Sequence, residues 1–364
     1  MMRSNKKSSK LISCLLLAFI SCGQQSTIGP EPEVAIEPTP EQNILLAASD
    51  VTFLIALRSV DNFTASTVGG YGTLLPRALF DQLDSLTVID EPDVLYANLD
   101  IVGVRLDPCF FEGAGLEICS SQIRLVMQPV LLLDNSVSTR DATVHVFYEV
   151  PENEIRDLAN LLRELRLLSN GDESIGLHPN PSKAAELVLP HIGTDRLSRV
   201  TFVSVHASDQ AWAFGGIDID GGNSTAIEIV GSGHHEQHLS SIGGTQTLDA
   251  TILPPPSIEP SIAHFLSEKK RKNSTDAQLA EALAAFERIL DPTEHNSGTV
   301  DCASCHMSTA AKRYSSSHEK NLEIGSAYAN SQNQRMLGYF GNEPSISSRV
   351  KAETQVVVTR LRGE

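Results

Sequence analysis

Short β-type runs separated by turn residues fill most of the sequence from residue 51 to residue 253, and they constrain the fold more than any other feature. Residues 142–150 alternate apolar and polar side chains, and the runs at 94–106 and 122–133 are rich in valine, leucine and isoleucine. A period of two residues is typical of strands that bury one face. Four more strand-like runs follow at 200–206, 212–219, 225–230 and 245–253.

One helical segment interrupts the strand-like runs. Pro151–Leu168 carries Glu152 and Glu154 in its first turn, where a helix N-terminus favours acidic side chains, and its leucines recur at helical spacing. Strands, a helix and further strands predict an α+β fold with a mainly antiparallel sheet body.

The pattern changes after the three prolines at 254–256. Thr275 and Gln278 form a capping-box pattern that opens a helix, so the C-terminal region is predicted to be helical and loop-rich. Residues 355–361 (QVVVTRL) predict a closing strand.

The N-terminus predicts export. Residues 1–10 are basic and rich in serine, and residues 11–20 form a short apolar stretch. About ten apolar residues span only ~15 Å as a helix, half of the roughly 30 Å needed to cross a bilayer. Residues 1–21 are therefore predicted to be a signal peptide.

The residues that end this segment predict lipidation. Phe19-Ile20-Ser21-Cys22-Gly23 resembles the lipobox of bacterial lipoproteins, with Phe19 in place of the usual leucine. The resemblance implies that Cys22 carries lipid, and an ordinary cleaved signal peptide is the alternative. The glycine after Cys22, in place of an aspartate, implies the outer membrane of a Gram-negative host.

A proline- and glutamate-rich segment follows. Gly23–Asn43 has almost nothing to bury, so it is predicted to stay extended as a tether of at most about 60 Å. The globular part is predicted to begin near Ile44. The predicted organisation is a signal peptide at 1–21, a lipid anchor and tether at 22–43, an α+β body at 44–254 and a helical and loop-rich region at 255–364.

The charge makes polyanions poor partners. The net charge is −17, and removal of residues 1–21 with their four basic side chains leaves 24 basic residues against 45 acidic ones, or −21. Phosphates repel such a protein, so no nucleic-acid partner is predicted. Basic proteins or cations are the expected electrostatic partners. The 41% of hydrophobic residues is enough for a sizeable core.

Two cysteines predict a disulfide. Cys109 and Cys119 flank a glycine-containing loop between two strand-like runs. In an oxidising compartment such a pair is typical of a disulfide, and two buried free thiols are the alternative. Gly113 and Gly115 give the loop the backbone freedom that the bond needs.

The segment Cys302-Ala303-Ser304-Cys305-His306 resembles the haem-attachment motif of c-type cytochromes. In that motif two thiols add to the vinyl groups of one haem, and the adjacent histidine binds the iron. The resemblance covers five residues. It implies one haem c with thioethers at Cys302 and Cys305 and with His306 as the proximal ligand, and it agrees with export, because attachment occurs outside the cytoplasm. Residues 292–300 (PTEHNSGTV) predict a loop around the motif, whereas in small cytochromes it caps a helix.

The sequence leaves the second axial ligand open. Met336 could supply a sulfur, His318 or His295 could supply an imidazole, and an open or water-bound site is a further alternative. Met307 adjoins His306 and cannot easily reach the opposite face of a haem. Three residues that follow the motif are candidate partners of haem propionates: Lys312, Arg313 and Tyr314.

Other chemistries also fit these residues. Cys302 and Cys305 could form a disulfide, or they could bind zinc with one of the nearby histidines at 295, 306 and 318. A second candidate metal or haem-ligand site, with a solvated loop as its alternative, is the polar cluster His234, His235 and His238.

The sequence as a whole predicts an exported lipoprotein, anchored in the outer membrane and facing the periplasm, that carries one haem and exchanges electrons with a redox partner protein. No catalytic residue is predicted. A haem peroxidase-type activity is one alternative, although c-type peroxidases usually carry two such motifs. The other is a non-enzymatic binding or structural module at 44–254, in which the Cys302–His306 motif is a disulfide or a zinc site.

Overall fold

The structure, a computed structural model, describes residues 45–57, 63–83, 85–86, 91–111, 119–133, 136–206, 211–241, 248–319 and 336–364. The predicted signal peptide, Cys22 and the tether at 22–43 lie outside these residues and stay predictions. Leu45–Glu364 forms one compact unit. The described strands are β1 (Thr52–Leu54), β2 (Val68–Gly69), β3 (Gly72–Thr73), β4 (Leu99–Phe111), β5 (Cys119–Leu133), β6 (Ser136–Thr139), β7 (Ala142–Glu149), β8 (Leu197–His206), β9 (Ala211–Asp220), β10 (Asn223–Ala226), β11 (Glu236–Ser241), β12 (Ala250–Leu253), β13 (Leu337–Phe340) and β14 (Glu343–Ile346).

The α-helices of the described residues lie between and after these strands. They are α1 (Arg77–Phe80), α2 (Pro92–Ala97), α3 (Glu152–Leu168), α4 (Pro181–Val188), α5 (Ala263–Leu266), α6 (Glu268–Asn273), α7 (Asp276–Leu290), α8 (Cys302–Glu319) and α9 (Ser348–Arg362).

A large antiparallel sheet organises the unit. Its strand order is β1-β4-β5-β7-β8-β9-β11-β12, with β6 added to β5 and β10 added to β9. The last strand of this sheet ends at Leu253, and α5 to α9 follow it. The predicted α+β class, with an antiparallel sheet and a helical C-terminal region, is therefore confirmed. The predicted boundary near residue 254 coincides with the end of the sheet and stays a prediction about domain division.

The alternation of side chains along the strands creates two buried faces. On β5, Ile123 and Leu125 pack in one core with the α3 residues Ile155 and Leu158. The intervening Arg124 points to the opposite face, because successive strand residues face opposite sides of a sheet. On that opposite face a second core joins β8, β9 and β11 to α5, α7 and α8 through residues that include Val203, Phe214, Phe286 and Met307. Helices thus cover both faces.

Two predicted helices are confirmed at nearly their predicted bounds. The helix predicted from Pro151 is α3, and the capping box of Thr275 and Gln278 is present at the start of α7.

The predicted strand at 355–361 is wrong, because these residues belong to α9. Ser347 caps the helix by accepting the Val350 N–H at 3.2 Å, and Gly363 ends it in the left-handed conformation with φ 74°. Val350, Val357 and Leu361 are buried at helical spacing. Burial on one side of a helix therefore outweighs the strand propensity of three consecutive valines.

The predicted disulfide is confirmed. Cys109 in β4 and Cys119 in β5 are bonded, with their Cα atoms 4.9 Å apart, across a hairpin in which Phe111 pairs with Cys119. The intervening loop with Gly113 and Gly115 lies outside the described residues. None of the helices among the described residues combines the length and apolarity needed to span a bilayer.

Candidate functional site

The Cys-x-x-Cys-His motif opens helix α8, so the prediction that it lies on a loop is wrong. Two acceptors fix this helix start: the Asp301 carboxylate accepts the Ser304 N–H at 3.0 Å, and the Gln237 side chain of β11 accepts the Ala303 N–H at 2.8 Å. Both satisfy backbone N–H groups that have no partner within a helix. A polar segment before residue 301 hid a helix that begins only at the first cysteine.

The helical geometry brings the three chemically active residues of the motif together. Positions i, i+3 and i+4 share one face of a helix, and Cys302, Cys305 and His306 have this spacing. All three line one pocket, whereas Met307 is fully buried in the core on the other side of α8. This agrees with the prediction that Met307 does not reach the opposite face of a haem.

The two thiols are free and face the pocket. Cys302 and Cys305 are not bonded to each other. Burial raises the pKa of Cys302 to about 12, with a contribution from the nearby Asp301 charge, and burial raises the pKa of Cys305 to about 11. Both groups are therefore neutral thiols in the unmodified protein at physiological pH.

The pocket lies between the motif and the sheet, is partly open to solvent and has a cavity volume of about 150 Å³. Aromatic and aliphatic side chains form most of its walls. They are Phe110, Val126, Phe147, Phe202, Val203, Phe214, Val300, Leu337 and Val350.

His306 occupies one side of the pocket. Its ring lies 4.9 Å from the ring of Phe214, measured between centroids, and Phe214 belongs to β9. The aromatic contact and the helix together fix where the imidazole enters the pocket.

Met336 also lines this pocket. Its Sδ accepts a 3.5 Å hydrogen bond from the Ser347 hydroxyl, and the adjacent Leu337 packs over Gly103 of β4. Leu337 packs beside β4 and Phe214 belongs to β9, so Met336 and His306 approach the pocket from different parts of the sheet.

The other predicted axial ligands are not placed in this pocket. His318 belongs to α8, but its side chain lies outside the described part of the chain. His295 is buried elsewhere, with its ring bonded to Glu259 and Thr299 at 3.2 and 3.3 Å.

His145, which was not predicted from the sequence, also lines the pocket. It projects from β7 on the face opposite the core residues Val144 and Val146, and its Nδ1 lies 3.5 Å from the Thr201 hydroxyl. Burial lowers the pKa of His145 well below its usual value, and the positive charge of Arg124 lowers it further. The only sequence signal was a polar residue at a pocket-facing position of an alternating strand.

The sequence analysis also missed four arginines that line the pocket. Arg105, Arg124 and Arg199 project from β4, β5 and β8, and Arg349 projects from α9. Strand pairing aligns the first three, because Arg105 pairs with Arg124, Arg124 with Phe147, and Phe147 with Arg199.

The predicted propionate partners lie elsewhere. Lys312 and Arg313 are exposed on α8, and Tyr314 packs against Phe265 in the core between helices. None of the three is among the described residues that line the pocket.

The described residues contain no group of three or more histidine, cysteine, aspartate or glutamate side chains that could hold a metal ion. This applies to the motif and to the second histidine cluster. His234 and His235 are exposed, and His238 lies on β11, 3.8 Å from Glu236. Neither place supports a zinc site built from the described side chains.

The residues that line the pocket fit a haem in their chemistry. The walls suit a flat apolar ring, two thiols and a histidine stand at the spacing of thioether attachment, and arginines are available for the carboxylates of the ring. Comparison of the chain with family models, with curated proteins and with solved structures finds no match.

Proposed function

We propose that this protein carries one haem in the pocket at the start of α8 and transfers electrons in the bacterial cell envelope. The observation that carries the proposal is that Cys302, Cys305 and His306 all line one largely apolar pocket. Thiols used for a disulfide or for zinc would need a bond to each other or further ligands, and neither arrangement is found among the described side chains.

The residues of the chain have distinct roles in this proposal. Cys302 and Cys305 would hold the haem by thioethers, and His306 would be the proximal ligand. Met336 is the distal ligand that we prefer, because it lines the same pocket as His306. The haem would supply the one-electron chemistry, and the apolar walls would limit solvent access and so adjust the reduction potential.

The proposal extends to location and partner. Lipid at Cys22 would anchor the protein, as an outer-membrane lipoprotein facing the periplasm, and the segment 23–43 would hold the folded unit away from the bilayer. The net charge of −17 favours a redox partner protein with a basic surface, since complementary charges accelerate encounter.

The test is production of the protein in bacterial strains with and without the machinery for c-type haem attachment. We expect a haem-stained band on a denaturing gel, and a pyridine haemochrome spectrum equivalent to one haem per chain, in the competent strain alone. The Cys302→Ser/Cys305→Ser variant should lose the band. The Cys109→Ser/Cys119→Ser variant is the matched control and should keep it.

Any of three results would overturn the proposal. The first is exported, folded wild-type protein that contains no covalent haem in the competent strain. The second is a peptide map without reduction in which Cys302 is joined to Cys305, and the third is one equivalent of zinc that is lost when both cysteines are replaced.

A further inference from the structure

Arg124 is a half-buried cation that forms no hydrogen bond or ion pair with the described residues. Its Nε is inaccessible to solvent and has no hydrogen-bond partner, and no described carboxylate forms an ion pair with its guanidinium. The guanidinium instead stacks on two aromatic rings of the pocket wall, 4.7 Å from the centroid of Phe110 and 4.3 Å from that of Phe147. The rings hold the group in place and leave its N–H donors unused.

The neighbouring arginines differ, because each has an acidic partner. Arg105 and Arg349 both contact Glu353 at 2.6 Å, and Arg199 contacts Asp218 at 2.5 Å. Glu353 is the only carboxylate among the described residues that line the pocket, and two arginines already share it. Arg124 is therefore the one arginine among the described pocket-lining residues that has no ion pair.

A guanidinium in the pocket wall that has neither an ion pair nor a hydrogen bond needs an explanation. It has five N–H donors and no acceptor, and leaving buried donors unused destabilises a protein. Burial and the charge of Arg105 lower the pKa of Arg124 to about 9, so the group is still charged at neutral pH. A planar, stacked guanidinium is well suited to bind two oxygen atoms of one anion at once.

We propose that the Arg124 end of the pocket is a binding site for a carboxylate or another small oxyanion. Two sources have this chemistry: a propionate of a haem attached at Cys302 and Cys305, or a free small anion. The inference does not depend on haem attachment, because the unpartnered guanidinium is a property of the polypeptide.

The first experiment uses the haem-free protein, as the Cys302→Ser/Cys305→Ser variant. Inorganic phosphate and succinate are titrated by calorimetry at constant ionic strength, into this protein and into versions that also carry Arg124→Gln or Arg313→Gln. Arg313 is exposed on α8, so its replacement removes the same charge outside the pocket. We expect saturable binding of at least one probe, weakened at least tenfold by Arg124→Gln and unchanged by Arg313→Gln.

A second variant guards against a folding defect. Arg124→Lys keeps the charge but loses the planar fork, so we expect intermediate affinity together with an unchanged circular dichroism spectrum. If the Arg124→Gln protein is unfolded, the Arg124→Lys comparison decides.

The second experiment uses haem-loaded protein and identifies the source of the anion. If a propionate occupies Arg124, the loaded protein should no longer bind the probe, and Arg124→Gln should shift the midpoint potential of the haem. If the loaded protein still binds the probe, the ligand is a free anion.

Two results together overturn the inference. The haem-free protein binds neither probe, or binds the probes equally with and without Arg124. In addition, the loaded Arg124→Gln protein keeps the wild-type potential. If no haem attaches at all, the proposed electron-transfer function fails, and the titrations of haem-free protein alone decide the anion site.

Discussion

Arg166 and Asp50 form an ion pair that is closed off from solvent. The Nε atom of Arg166 lies 2.6 Å from Oδ1 of Asp50, and its Nη2 atom lies 3.0 Å from Oδ2. The side chains of Arg166 and Asp50 are 2% and 0% exposed. Arg166 belongs to α3 and Asp50 to the segment just before β1. The pair therefore joins the beginning of the compact unit to the helix that covers one face of the sheet.

Replacement of one partner should destabilise the protein strongly. Asp50→Asn leaves the buried guanidinium with only the exposed Glu173 carboxylate, 3.8 Å away, and we expect the free energy of unfolding to fall by about 3–5 kcal/mol in urea titrations. The matched control is Glu152→Gln, which breaks the exposed pair with Arg156 on the same helix and should cost less than about 1 kcal/mol. Equal losses in the two variants would contradict this prediction.

Stability should depend on pH through Glu154. Its carboxylate accepts two hydrogen bonds from Arg196, at 2.8 and 2.9 Å, and lies 2.9 Å from His191 Nδ1. Arg196 first, and then His191, lower its pKa from 4.5 to about 2. Because the folded pKa is the lower one, the contribution is complete above about pH 5 and is lost as the pH falls toward 2.

Glu154→Gln removes this contribution. Between pH 6 and pH 3 the wild-type protein should lose about 1 kcal/mol more stability than the variant, allowing for the partial exposure of the group. Chemical denaturation at both pH values measures the difference. A variant with the same pH dependence as the wild type would exclude Glu154 as the source.

The Cys109–Cys119 bond should stabilise the protein without affecting haem attachment. The Cys109→Ser/Cys119→Ser variant loses a constraint on the unfolded chain, and we expect it to unfold with about 2–3 kcal/mol less free energy while still carrying haem. Denaturation curves and haem staining check the two halves. A peptide map that joins Cys109 to Cys302 or Cys305 would contradict both the disulfide and the haem assignment.

The distal ligand should be Met336 rather than His145. In haem-loaded protein, Met336→Ala should change the absorption spectrum and lower the midpoint potential, since a methionine ligand raises the potential of a haem iron. His145→Ala is the comparison, and it should leave the ligand-dependent features of the spectrum unchanged. The opposite pattern would assign the distal position to His145.

Membrane association should depend on Cys22. Several acyl chains on one residue make release from a bilayer slow, so Cys22→Ala should leave the protein soluble in the periplasm or unprocessed. Cys14→Ala changes the cysteine within the predicted signal peptide and should fractionate as the wild type does. Membrane association of Cys22→Ala after a salt wash would show that lipid at Cys22 is not the anchor.

The strands and helices whose formation depends on neighbouring residues in sequence were predicted well. The alternation in 142–150 and the acidic first turn of α3 each depend on neighbours in sequence, and both predictions are confirmed. The valines of α9 misled, because their environment comes from β4 and from the segment before β1, about 250 to 300 residues away in sequence.

The site was predictable only in part, for the same reason. The motif itself identified Cys302, Cys305 and His306, whose common face follows from helical spacing. Arg124 and His145 became visible only with the sheet register, which decides the face to which each strand residue points. No pattern along the chain indicates that Arg105, Arg124 and Arg199 lie in one row across the sheet, in which Phe147 separates Arg124 from Arg199.

The position of α9 has a consequence for the order of assembly. The hydroxyls of Thr354 in α9 and Thr52 in β1 are hydrogen-bonded across 302 positions of sequence, and Arg349 and Glu353 on the same helix line the pocket. Contacts between such distant segments form late, because closing a long loop costs entropy before it brings any contact. If haem is attached as proposed, an attachment enzyme would have the freest access to the cysteines before this last helix docks.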